Sequence, residues 1–261
     1  MLYKRFPHHT SKPGTANALI DIHLAKSLDI SVSEELDCNN LYFVGGPMSS
    51  YDDLCRLRQT NTPFINIDKG YFRTKSTTHW RMSFNTLQQS QLLDVPADRL
   101  DSIAHFNMLP WQTNGDYILI LAPNPMPLQL YEGHTDILRW CFETKTKILE
   151  YTDRKVFIRF KESVKARGND SLSKYFDKCH AVVGLQSVGC VESICNGIPT
   201  YNMAPSCLDG LGNFSIADIA CPIKADNRYE WLKSLAYSQF TIDEIEQGIA
   251  MRILKDLYNW S

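Results

Sequence analysis

The chain has 261 residues, 44% of them hydrophobic, and a formal net charge of −2. That is material for one large or two small cores, and it excludes a global positive field that would draw in nucleic acid, so any polyanionic partner must be held by a local patch. Eight cysteines without a Cys-x-x-Cys pair, behind an opening MLYKRFPHHTSKPG that lacks an apolar leader, predict reduced thiols and a cytoplasmic protein, not a disulfide scaffold.

Short apolar runs alternate with helical periodicity along the chain, which predicts an α/β protein with parallel strands. MLYKRF reads as a strand and PHHTSKPG as a polar loop. TANALIDIHLAKSLD then has apolar residues at helical spacing. NLYFVGG is a strand that ends in two glycines. SSYDDLCRLRQ follows as a helix, with Ser49 or Ser50 as N-cap and acids in its first turn. PFINID is a third strand. The stretch HWRMSFNTLQQSQLLDVPADRL has no clear period and is rich in aromatics and amides.

DYILILA restarts the pattern. It is too short to span a bilayer, and no transmembrane segment is expected. It runs into a loop with three prolines, which is expected to break regular structure. DILRWCFETKTKILEYT is an amphipathic helix, KVFIRFK a strand and SLSKYFDKC a short helix. HAVVGLQSVGCVESICNG is strand, turn and helix, and PTYNM is another strand. NRYEWLKSLAYSQF and TIDEIEQGIAMRILKDLYNW close the chain as helices, the last opened by a capping box of Thr241 and Glu244. The reading is of two β/α units: an acceptor domain over 1–122, a donor domain over 123–245, and a C-terminal helix over 246–261 that packs back on the first domain. Two doubly wound domains facing a central cleft would hold a ligand at the C-terminal ends of their strands.

The chemistry concentrates after the strand at 181–185. Gln186, Ser187, Val188 and Gly189 form a turn into a helix, and the free N–H groups at a helix start attract anions. Ser187 can donate its hydroxyl to a phosphate or simply cap the helix. Glu192, one turn in, can accept hydrogen bonds from sugar hydroxyls or simply favour the helix dipole. Arg159 and Lys161, two apart on a strand, should share one face; they either neutralise a ligand or line a solvated edge.

Taken together, VVGLQSVGCVESICNGIPTY and the preceding KVFIRFKES, about 156–203, resemble the C-terminal domain of GT-B-fold glycosyltransferases. The resemblance implies a nucleotide-sugar donor, of the UDP-sugar kind. Glu192 would hold its ribose, Ser187 and Gly189 would face its diphosphate, with Gln186 and Val188 also in the donor-binding turn, and Arg159 and Lys161 would neutralise the charge. There is no Asp-x-Asp, the motif of metal-dependent GT-A enzymes, so no metal is strictly required. Gly184 stands eight residues before Glu192, where retaining GT-B enzymes carry a second acid, which favours inversion.

Direct displacement needs a base for the acceptor hydroxyl. Asp68, at the end of FINID, is the first candidate, with His8 and His9 in the loop after the first strand as competitors. Lys69, Tyr71, Arg73, His79 and Arg81 mix cations with aromatic rings, a combination that suits phosphate contacts and base stacking; the same residues also suit a core. IDKGYF and the WRMSFN region are similar to small phage-encoded glycosyltransferases, some of which act on hydroxymethylated pyrimidines. That implies a double-stranded DNA acceptor with modified bases and a site of action in the host cytoplasm. The alternatives are a transferase of surface polysaccharide or lipid-linked sugars, and a non-catalytic nucleotide-binding module.

Overall fold

A computed structural model describes residues 2–7, 14–48, 50–72, 79–103, 108–161, 171–212 and 214–259. In chain order its elements are β1 (Tyr3–Arg5), α1 (Ala16–Ile22), β2 (Ile30–Val32), β3 (Leu41–Gly45), α2 (Tyr51–Gln59), β4 (Phe64–Lys69), β5 (Trp80–Phe84) and α3 (Asp98–Ser102). Then come β6 (Tyr117–Leu121), α4 (Pro125–Glu132), α5 (Ile137–Leu149), β7 (Lys155–Arg159), β8 (Cys179–Gly184), α6 (Val188–Cys195) and β9 (Thr200–Asn202). The chain ends in α7 (Arg228–Ala236), β10 (Gln239–Phe240), α8 (Ile242–Glu246) and α9 (Ile249–Tyr258).

These elements build two Rossmann-like units. The first is Met1–Ile103 with Tyr229–Ser261, the second Ala104–Arg228. The first sheet has the order β10-β5-β4-β3-β1-β2; β2, β1, β3 and β4 run parallel, while β5 is antiparallel to β4 and β10 to β5. All five residues of β3 are buried, so both faces of this strand are covered, as in doubly wound sheets. One face packs Leu19 and Ile20 of α1, Ile65 and Ile67 of β4, Met82, Phe240, and Met251 and Leu254 of α9 into a single core.

The second sheet is wholly parallel, in the order β7-β6-β8-β9. Its central strands are apolar runs buried on both faces, which is why YILIL and AVVG carry no polar alternation. Trp140, Cys141 and Ile148 of α5 pack on Ile118, Ile120, Ala181 and Val183.

Three differences from the sequence reading have physical causes. The strand Tyr117–Leu121 sits inside the second sheet, and the chain returns to the first unit from Tyr229, so the units divide at 103/104 and 228/229 and not at 122/123 and 245/246. The proline-rich loop is in fact the start of α4: Pro125 lies in its first turn, where no N–H is needed, and Gly133 at φ +75° ends it. The closing helix is two helices, split at Gly248 (φ +72°). Among the described residues, no helix is long and apolar enough to cross a membrane.

Candidate functional site

In the second sheet, β6 leads outward to β7 on one side and β8 lies on its other side. The loops leaving β6 and β8 therefore diverge, which makes the C-terminal ends of these strands the topological switch point, the place where open α/β sheets bind ligands. Ala122, Pro123 and Asn124 leave β6 toward α4, while Leu185, Gln186 and Ser187 leave β8 toward α6. A Cβ on Gly184 would lie 2.6 Å from Cys190 Sγ, and one on Gly189 would lie 3.0 Å from both Leu121 Cδ1 and Leu172 Cδ2. Glycine at these positions lets the first turn of α6 seat directly against the end of β6.

Ser187 is the N-cap of α6, and its Oγ accepts from Gly189 N–H at 3.2 Å. Gln186 is left-handed, at φ +54°. Its N–H donates to Asn202 Oδ1 at 3.0 Å, and its side-chain amide donates to the Pro205 carbonyl and, at 3.4 Å, to Tyr131 Oη. The Gln186 side chain is thereby committed to the loop after β9. Val188 and Gly189 are half-buried and Glu192 is exposed on α6.

Arg159 ends β7, and its carbonyl accepts the Ala122 N–H at 3.0 Å, so it reaches the same strand edge. Its guanidinium stands 5.5 Å from the Tyr175 ring centroid. Lys161 is exposed but lies two residues beyond the end of the strand, so the alternation that would pair it with Arg159 does not reach it. Burial pushes the Cys190 thiol up to about 12 and raises that of Cys195, which makes both poor nucleophiles.

In the first unit the corresponding divergence lies between β1 and β3. His8 and His9, in the loop after β1, lie outside the described residues, as do Ser49 and Arg73. The loop after β3 begins at Gly46, where a Cβ would lie 3.0 Å from Asp68 Cγ and Oδ2. Asp68, on β4, thus packs against the start of the loop that leaves β3. Its Oδ2 accepts from Arg81 Nη2 at 2.6 Å and its Oδ1 from Lys69 N–H at 2.7 Å, and its side chain remains 37% exposed.

The strand pairing explains this cluster, since Asp68 faces Arg81 and Lys69 faces Trp80 across β4 and β5. Lys69 Nζ stands 3.6 Å from the Trp80 ring centroid. Arg81 is enclosed, its Nε donating to Leu87 O and its Nη1 to Lys69 O. Tyr71 is buried too; its N–H donates to Gln239 Oε1 and its Oη accepts the Gln89 N–H. Burial lowers the pKa of His79, and Glu244 opposes that only in part. Arg81 and Tyr71 therefore brace the end of β4 beneath Asp68.

Two features escaped the sequence reading. Asn202 fixes the Gln186 turn from a neighbouring strand, and Gly46 lets the Asp68 carboxylate lie directly against the loop after β3. The Gly45-Gly46 pair after a buried strand is the signal for the second; the first has none, since Asn202 is sixteen residues from its partner. No group of three or more metal-ligating side chains forms among the described residues.

Neither a protein-family model nor a curated protein matches the sequence. Among solved structures, Thermosulfurimonas dismutans KpsC, beta Kdo 2,7 transferase, is similar over 97% of this chain and 99% of that one, with a TM-score of 0.53 at 10% identity. The chain shares its two-unit α/β fold with that transferase.

Proposed function

We propose that this protein is a glycosyltransferase that moves a sugar from a nucleotide-sugar donor to a hydroxyl of a surface polysaccharide or lipid-linked glycan. The observation that carries the reading is the switch point between β6 and β8, where the capped start of α6 and the end of β7 at Arg159 reach the C-terminal ends of the strands, with Glu192 exposed one turn into α6. The first N–H groups of α6 and the Ser187 hydroxyl face the donor diphosphate, Arg159 neutralises it, and Glu192 accepts hydrogen bonds from donor hydroxyls. Asp68 takes the proton of the acceptor hydroxyl. The acceptor oxygen then bonds to the anomeric carbon as the carbon–oxygen bond to the diphosphate breaks, with inversion. The fold likeness to a transferase named for Kdo supports a glycan acceptor over DNA, and the net charge of −2 favours the same choice.

The test offers the protein a panel of labelled nucleotide sugars, UDP-sugars and nucleotide-activated Kdo among them, with either a lipid-linked oligosaccharide or hydroxymethylated DNA. Label on the oligosaccharide is expected. Label on DNA alone would replace the acceptor. A donor at about 100 times its Kd should stabilise the fold by about 2.7 kcal/mol; if no nucleotide sugar raises Tm, the enzyme reading fails.

A further inference from the structure

A cavity of about 310 Å³ opens at the opposite edge of the second sheet. Gly115 precedes β6, Arg154 precedes β7, and His180 lies at the start of β8, so its walls are the N-terminal ends of the strands whose C-terminal ends form the candidate donor site. Asn114, Ala220 and Lys224 complete the part that matters here. Its charge is one-sided: it holds Arg154, Lys224 and an imidazole, and among the described residues no acidic side chain lines it.

Part of this cationic set has a structural task. Arg154 Nε donates to Gly115 O at 3.2 Å, and Nη1 donates to Thr152 Oγ1 at 3.3 Å and Ala220 O at 3.5 Å. His180 Nε2 donates to Ile219 O at 2.9 Å. These bonds satisfy the last carbonyls of the 3-10 turn Ile216–Ala220. Among the described residues none of these bonds uses Arg154 Nη2, and Lys224 is exposed and enters none of the ion pairs. Burial first, and then the charges of Arg154 and Lys224, lower the pKa of His180, so both cations act on the imidazole.

We infer that this cavity is a second binding site, taking an oxyanion of the phosphate or phosphomonoester class between Arg154 Nη2 and Lys224, with the Asn114 amide as a further donor. A half-buried guanidinium and an exposed ammonium lining one cavity with no acid among its described lining favour a bound dianion, and the volume admits a group as large as a small sugar phosphate. The site stands apart from the transfer chemistry proposed above and is tested without it.

The probe is inorganic phosphate, titrated against chloride at constant ionic strength while the imidazole resonances of His180 are followed by NMR. Because the readout is at His180, phosphate held at the start of α6 does not enter the measurement. Saturable shifts and a rise in the His180 pKa are expected. Lys224→Gln, at an exposed position, should keep the fold and weaken phosphate binding by about tenfold or more, the value of one charge-assisted hydrogen bond. Arg154→Gln should abolish binding, and its lowered Tm would report the lost bonds to the 3-10 turn. Stationary His180 resonances in the unaltered protein, or equal phosphate affinity in Lys224→Gln, would overturn the inference.

Discussion

Asp68 is held from two sides, by a buried guanidinium and by the N–H of the next residue, and still exposes a third of its side chain. That combination fixes a carboxylate's direction while leaving it reachable. In Asp68→Asn the amide oxygen can keep the Arg81 bond, so donor affinity should stay constant while kcat falls by about two to four orders of magnitude. Steady-state turnover alongside donor titration checks this, and normal turnover would move the base to His8, His9 or elsewhere. Glu192 is a different case. It is exposed on α6, so Glu192→Ala should leave Tm nearly unchanged and weaken donor binding about tenfold or more, as read by calorimetry. At this scale Ser187 was legible as an N-cap because capping is decided within three residues. Arg81 and Tyr71 were not, because their surroundings are supplied by Leu87 and by Gln239, which is 168 residues from Tyr71.

Elements whose signals are local were readable. The Thr241 and Glu244 capping box forms as drawn, with both reciprocal bonds present, and β6 and β8 were plain as apolar runs. The misread elements depend on distant partners or on position within a turn. β5 is a strand because β4 and β10 pair with it; its own residues, Trp-Arg-Met-Ser-Phe, give a weak alternation. Three prolines suggested a break, yet prolines in a first helical turn cost almost nothing. The end of α6 shows how tight a local requirement can be. Gly197 has φ +75°, its N–H donates to Ile194 O, and a Cβ there would lie 2.0 Å from the Pro110 carbonyl oxygen. Gly197→Ala therefore meets both left-handed strain and a backbone clash. It should lower stability by about 2–4 kcal/mol, seen as a reduced urea midpoint with an unchanged m-value.

For the whole molecule, titration sets a pH range of stability. Burial holds His79, in the first unit, and His180, in the second, below their ordinary value of 6.5. The unfolded chain then takes up their protons first as pH falls, so their contribution is full above 6.5 and is lost below it. Burial raises the Glu244 pKa, but hydrogen bonds from Arg99 and Thr241 outweigh it and set the net value below 4.5; that contribution is present above 4.5 and is lost as pH falls further. Urea midpoints should thus decline in two stages, and Glu244→Gln should flatten only the more acidic one. The covalent layout gives a second consequence. The first unit is assembled from both ends of the chain; the sequence reading returns only 246–261 to it, whereas its completion begins at Tyr229. The second is one continuous stretch with its own parallel sheet and core, and it carries Arg159, Ser187 and Glu192 but not Asp68. Expressed alone, 104–228 should fold cooperatively, retain saturable binding of the nucleotide-sugar donor and catalyse no transfer. Circular dichroism melting with and without donor, followed by the label assay, distinguishes this from a fragment that is unfolded or fails to bind; either of those would mean that the donor site needs residues of the first unit.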